Sequence, residues 1–150
     1  MKKLILFLCF LSIVGCGYKP IFSNKGANFS IDKIEYNKNK LNKIIYNNLS
    51  SYQNAKDKEY IYNIEIFTSD NKTVISKDSK GNPSNFRLNI SVNFKVFESK
   101  KLIFTKIYEE KFDYPNTSKK FELNQYEDEL RKSILNQVSD RIIKNLFMIK

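Results

Sequence analysis

The stretch FRLNISVNFKV, Phe86 to Val96, decides the fold. Phe86, Leu88, Ile90, Val92, Phe94 and Val96 share one parity; Arg87, Asn89, Ser91, Asn93 and Lys95 share the other. Alternation this long argues a β-strand with one buried face and one polar face, because successive side chains of a strand point to opposite sides. At about 3.3 Å per residue it spans roughly 36 Å. Glu98-Ser99-Lys100-Lys101 turns the chain back, and Leu102 to Tyr114 (LIFTKIYEEKFDY) is the returning strand. Leu102, Phe104, Tyr108 and Phe112 lie on one parity of it, but Lys106 interrupts that face and leaves the register open.

Upstream of this hairpin, Phe29 to Tyr36 (FSIDKIEY) predicts a short strand with imperfect alternation. In Lys38 to Gln53, Leu41, Ile44, Ile45, Leu49 and Tyr52 fall at helical spacing, one apolar stripe on an otherwise polar helix. A polar break, Asn54 to Lys58, leads into Tyr60 to Thr68, where Tyr60, Tyr62, Ile64 and Ile66 alternate with Asn63 and Glu65. Ser76 to Asn85 collects Gly, Pro, Asn and Ser and predicts a loop. Downstream, Tyr114 to Leu123 predicts a second loop. Asn124 with Glu127 has the spacing of a capping box, and a helix runs from there to about Phe147. Leu130, Ile134, Val138 and Ile142 recur along it every four residues, joined by Leu135 and Leu146. Such a helix is about 36 Å long, the length of the long strand. The order β-α-β-β-β-α therefore predicts an α+β two-layer sandwich: about four mostly antiparallel strands with both helices on one face. The other face of the sheet is polar and aromatic, free for solvent or a partner.

The amino end carries a different signal. Met1-Lys2-Lys3 is basic, and Leu4 to Val14 is apolar apart from Ser12. Eleven residues fall short of the roughly 20 that a membrane-crossing helix needs. A basic head, a short apolar middle and a small residue describe a secretory signal peptide over residues 1–15. Ile13-Val14-Gly15-Cys16 resembles the bacterial lipobox, in which the chain is cut between Gly15 and Cys16 and the cysteine is acylated. The competing reading is an ordinary signal peptide that happens to carry a cysteine. One acyl chain holds only marginally, whereas several on one residue hold essentially permanently. Gly17 stands where an inner-membrane lipoprotein carries Asp, so the resemblance places the anchor in the outer membrane, facing the periplasm. Gly17 to about Asn28, with Pro20 and Gly26, reads as a tether reaching about 40 Å. The organisation is then a leader (1–15), a lipidated end and tether (16–28) and one domain (29–150).

Composition narrows the function. Removing Lys2 and Lys3 leaves 24 basic against 16 acidic residues, about +8. Loss of Cys9 leaves Cys16 alone, which excludes a disulfide within the mature chain. The chain has no histidine, so the commonest general base and metal ligand and every Ser-His-Asp arrangement are missing. There is no Cys/His cluster for zinc and no glycine-rich phosphate loop. A Ser-Lys dyad needs no histidine, but in a lysine-rich chain a serine near a lysine carries no information. The reading is non-enzymatic, with no metal and no cofactor.

At this point a family resemblance covers nearly the whole chain. A lipobox, then CGYKPIF, then this element order in 150 residues resembles the LptE lipopolysaccharide-assembly lipoproteins. YIYNIEIFTSD is similar to that family's second strand and FRLNISVNFKVFESKKLIF to its central hairpin. FDYPNTSKKFELNQYEDELRKSILNQVSDRIIKNL is similar to its tyrosine-containing loop and carboxy-terminal helix. Here Asn, Ile and Lys stand where the family's helices favour Ala and Arg. The resemblance implies a plug in the lumen of the barrel LptD, which helps that barrel fold and helps pass lipopolysaccharide to the outer leaflet. Arg87 and Lys95 on the polar face of the strand, and Lys100 and Lys101 at the hairpin tip, are the candidate lipopolysaccharide contacts, Arg87 foremost because a guanidinium grips phosphate at two points. The alternative for each is a solvating surface charge. Two rival classes stand beside this reading. One is a nucleic-acid binder, suggested by basic charge and aromatic strands but opposed by the export signal. The other is an adaptor or scaffold lipoprotein of another envelope complex.

Overall fold

A computed structural model of the chain describes residues 26–149. Its elements are β1 (Phe29–Tyr36), α1 (Lys40–Leu49) continued by a 3₁₀ turn (Ser50–Tyr52), β2 (Tyr60–Lys77), β3 (Pro83–Glu98), β4 (Lys101–Pro115) and α2 (Lys120–Met148). The sheet order is β1-β2-β3-β4. β1 runs parallel to β2, as a β-α-β crossover through α1 requires, and the other two pairs are antiparallel. The α+β two-layer sandwich expected from the periodicities is the fold observed.

β3 is the spine of the core. Leu88, Ile90, Val92, Phe94 and Val96 are each at most 1% exposed. Tyr62, Ile64 and Ile66 of β2 join them, as do Ile45 and Leu49 of α1 and Ile134, Leu135, Val138, Ile142 and Leu146 of α2, in one continuous cluster. Both helices lie on this inner face. Asn48 Nδ2 donates to Asn136 Oδ1 at 2.9 Å between them. Near the first described residue Ala27 is buried, and the Asn28 carbonyl accepts from Glu59 and Tyr60 at 3.0 and 3.2 Å.

The irregular alternation of β1 has a local cause. A bulge between Ile31 and Lys33 shifts the phase by one residue, so Phe29 and Ile31 and then Ile34 all reach the core. A second bulge, opposite Val96 and Phe97, places Phe104 against Val96 but Leu102 against Phe97. Leu102, expected on the apolar parity, is thereby turned to the outer face and is 47% exposed. Phe112 keeps the inner parity, opposite Leu88, but is 41% exposed on an edge strand.

Several boundaries differ from those expected. β2 does not stop at Thr68 but continues to Lys77, and β3 begins at Pro83, so the predicted 76–85 loop is a turn over 78–82. Asp78 Oδ1 accepts from the amides of Lys80 and Asn82 there, and Gly81 supplies the positive φ of 84°. The first helix is shorter than Lys38–Gln53; Asn39 caps it, its side chain accepting from Asn42 N at 2.7 Å. The long helix starts at Lys120, not Asn124, and its N-cap residue Lys119 makes no side-chain cap bond. Asn124 and Glu127 are thus inside the helix, and no capping box exists. Glu127 is instead buried, in the contacts described next.

Candidate functional site

The outer face of the sheet carries Arg87 and Lys95, two of the cations singled out in the sequence; Lys100 is in the hairpin turn, and Lys101 is the ladder partner of Glu98, on the inner parity. Arg87 lies opposite Asp113 on β4, and its Nε and Nη2 donate to the two carboxylate oxygens at 2.6 and 2.7 Å. The guanidinium fork is occupied by this carboxylate, which in turn holds the Asp113 pKa below the usual range. Lys95, opposite Glu65 on β2, donates to Glu65 Oε2 at 3.3 Å. Lys33 and Glu35 pair on β1 at 2.6 Å. Lys100 and Lys101 make no ion pair among the described residues. Lys100 sits with Ser99 in the two-residue hairpin turn, at φ of 69° and 48°. Lys100 also borders a shallow hollow of about 310 Å³ on the outer face, with Lys33, Glu35, Asn63, Glu65 and Phe97. Arg87 is eleven positions along β3 from Glu98, roughly 36 Å at strand rise. The four candidate cations therefore do not converge: Lys95 and Lys100 share one end of the face and Arg87 the other. Gly15 and Cys16 lie outside the described residues.

Between Lys95 and Arg87 the outer face is uncharged on β2 and β3, with Glu109 and Lys111 on β4. Phe67, Asn93 and Ile107 stand in one cross-strand row. The two apolar side chains are 60% and 59% exposed. They flank the Asn93 amide, whose Oδ1 is covered from solvent and has no hydrogen-bond partner.

A polar cluster that the sequence did not single out lies on the inner face, at the far end of the long strands. Asp70 and Lys72 continue the inner parity of β2 beyond Thr68. Glu127 of α2, 5% exposed, accepts from Tyr114 OH at 2.9 Å and from Lys72 Nζ. Arg131, one turn on, donates from Nε to Asp70 Oδ2 at 2.8 Å and places Nη1 3.7 Å from Glu127 Oε2. Lys72 Nζ also stands 4.0 Å above the Phe86 ring. Burial first, and then the Glu127 carboxylate, push the Tyr114 hydroxyl pKa well up. The cluster clasps the first half of α2 to the β2–β3–β4 end, where the inner positions of β2 turn from apolar to charged. The i,i+4 spacing of Glu127 and Arg131 and the parity of Asp70 and Lys72 were the signals for it.

Outside the core, α1 and α2 border a groove of about 670 Å³ with Lys40, Ile44, Phe121 and Asp128 among its walls. Lys40 and Asp128 pair across it at 2.7 Å. Among the described residues no group of three or more His, Cys, Asp or Glu could hold a metal ion. No described helix is long and apolar enough to cross a membrane.

Comparison with known proteins follows the same outline. The model of the lipopolysaccharide-assembly family LptE matches residues 27–146. Against curated proteins the sequence finds no match. Among solved structures, the crystal structure of rare lipoprotein B from Shewanella oneidensis superposes with a TM-score of 0.59 at 18% identity, covering 79% of this chain and 92% of that one. A minor lipoprotein from Acinetobacter baumannii gives 0.61 at 12% identity, over 79% and 91%. Lipoprotein B from Nitrosomonas europaea, solved by solution NMR, gives 0.61 at 13% identity, over 81% and 87%. At these identities the structural likeness establishes the shared fold.

Proposed function

This chain belongs to the LptE family of lipopolysaccharide-assembly proteins, and from that premise we propose that it is a lipoprotein held at the outer membrane through Cys16. There it seats in the lumen of an LptD-type β-barrel, helps that barrel assemble and assists passage of lipopolysaccharide to the outer leaflet. It acts by occupying and shaping, not by catalysis. The observation that carries the reading is the family match itself, which runs from the first strand almost to the end of the last helix.

The surface is consistent with such a seat. The lumen of an outer-membrane barrel is polar, so a protein inside it keeps polar groups outward around a closed apolar core. The sheet face does this with charges already paired to one another: Lys33 with Glu35, Lys95 with Glu65, Arg87 with Asp113. Covering such pairs requires less desolvation than covering single ions. A lipid on Cys16 would keep the domain beside the barrel and raise the local concentration for docking. Of the four proposed lipopolysaccharide contacts, Lys100 and Lys101 are open to a phosphate as they stand. Arg87 and Lys95 would first have to release their carboxylates.

Two measurements test this. The intact mass of protein extracted from membranes should correspond to a chain beginning at Cys16 plus a glycerol and three fatty chains; the unmodified mass of the whole chain overturns the anchor. In mild detergent the protein should co-purify one-to-one with a very large β-barrel, and depletion should leave that barrel misassembled. A correctly assembled barrel after depletion overturns the plug.

A further inference from the structure

β2 is far longer than its neighbour on one side. β1 pairs with it only as far as Ile66, opposite Tyr36, whereas β2 runs on to Lys77. Among the described residues, no strand lies beside the edge beyond Ile66. Where β1 ends, the Thr68 carbonyl is capped by the Asn39 side chain, Nδ2 donating to it at 3.4 Å. Thr68 therefore points its peptide groups to the open side. By the two-residue period of an antiparallel ladder, so do Asp70, Lys72 and Val74, while Ser69, Asn71 and Thr73 bond to β3. The side chains of Asp70 and Lys72 are only 30% and 31% exposed, yet both residues as wholes are exposed, which locates the openness on their main chain. The apolar side chains on this unpaired length are uncovered as well: Phe67 at 60%, Val74 at 45% and Ile75 at 41%.

We propose that the β2 edge from Asp70 to Val74, beyond the buried and already capped Thr68, is a strand-addition site, filled by an extended segment of the barrel's own polypeptide. This rests on the barrel reading above and deepens it. A row of alternating N–H and C=O groups, repeating every 6.6–7 Å or so, is matched by another polypeptide strand and not by a saccharide or an acyl chain. The charges select the segment. Asp70 and Lys72 are neutralised by Arg131 and Glu127. Lys38, next to the capping Asn39, and Lys77, at the far end of β2, are exposed and have no ion-pair partner among the described residues. A neutral segment of about six to eight residues, with apolar side chains at alternate positions and an acidic residue near either end, complements this edge. A second copy of the same chain does not. Antiparallel pairing of the edge with itself would bring Lys38 of one copy beside Lys77 of the other at both ends. The opposite edge of the sheet, β4, is poorly suited, because Lys106 holds on its inner parity a charge with no ion-pair partner among the described residues, a device that discourages strand addition.

The test uses the full acylated chain co-expressed with its LptD-type barrel and extracted in detergent. A photoreactive amino acid at position 75 should cross-link to the barrel, at a run of alternate residues in one segment. Val74→Pro deletes one edge-facing N–H and no β2–β3 ladder bond. It should lower the amount of barrel recovered at least tenfold, with circular dichroism unchanged, while Val74→Ala retains the complex. If the complex forms but residue 75 cross-links only to lipid or to another copy, or Val74→Pro folds and binds fully, strand addition is overturned and the barrel reading stands. If the wild-type chain forms no complex with the barrel, both fall. Should Val74→Pro not fold, the cross-link at position 75 decides alone.

Discussion

Glu127→Gln probes the inner-face clasp directly, because it keeps the side-chain volume and removes only the charge. In the wild type the Glu127 carboxylate accepts from the Tyr114 hydroxyl at 2.9 Å and from Lys72, and lies near Arg131. A hydrogen bond to a charged acceptor contributes about 1.5–3 kcal/mol, against roughly 1 for a neutral one, so the Tyr114 bond weakens by about 1 kcal/mol. The Lys72 side chain is 31% exposed, and its pair with Glu127 is worth up to about 1 kcal/mol after solvent screening. Arg131 keeps Asp70 at 2.8 Å and loses little. The expected destabilisation is about 2 kcal/mol, or a drop in Tm of roughly 4–8 °C for a domain of this size. The assay is urea and thermal unfolding of a Cys16→Ser form, which has no acylation site. A cycle with Tyr114→Phe should give a coupling of about 1 kcal/mol. Additivity of the two substitutions within about 0.3 kcal/mol, or a Glu127→Gln protein as stable as the parent, would refute the clasp. Replacing Lys72, Glu127 and Tyr114 together by Met, Leu and Phe should cost much less than Glu127→Gln, since the penalty lies in stranding one partner.

Other outcomes follow from the same structure. Burial, and then the Glu98 charge, push the Tyr62 pKa up to about 12 from its ordinary value near 10. A raised tyrosine pKa contributes stability that is fully present below the unfolded value and lost as pH rises through the folded one. Tyr62 should therefore contribute about 2–3 kcal/mol to the loss of stability between pH 10 and 12, and Tyr62→Phe should make that limb shallower by about this amount while the other raised tyrosines keep the remainder; an alkaline limb of unchanged slope in denaturant melts argues against it. Lys100→Gly removes an L-residue from φ of 69° and should stabilise the chain by about 0.5–1 kcal/mol by urea unfolding, and a loss of stability counts against the turn geometry. Lys106→Ile removes a charge from the inner parity of the open strand β4 and should produce concentration-dependent dimers in sedimentation velocity; a strict monomer contradicts the edge-guarding role.

Much of the architecture is legible before any coordinates exist. The alternation in Phe86–Val96 predicts a strand whose even residues are core, and Leu88 to Val96 are indeed fully buried. The four-residue recurrence from Leu130 to Ile142 predicts the helix that covers them. What escapes is whatever depends on a single inserted residue or on a distant partner. The bulges in β1 and opposite Val96–Phe97 each add one residue and reverse the parity downstream, as Leu102 shows. The last nine residues of β2 hold Asp70, Lys72 and several Ser, Asn and Thr residues, a composition that reads as loop. They form a strand because β3 pairs with them and α2 supplies the opposite charges.

The sequence by itself determined the sidedness of β3, of the first half of β2 and of both helices, because periods of two and of about 3.6 are local and burial acts on them one residue at a time. It also determined the family, through motifs spread along the whole chain. Only the tertiary structure decided which charged residues count as interior and which remain for a partner. Lys72 and Glu127 are 55 positions apart, and Arg87 and Asp113 are 26 apart. A charge is tolerable inside only when its counter-charge arrives at hydrogen-bonding distance, and that arrival is a property of strand register and helix placement, which local periodicity does not encode.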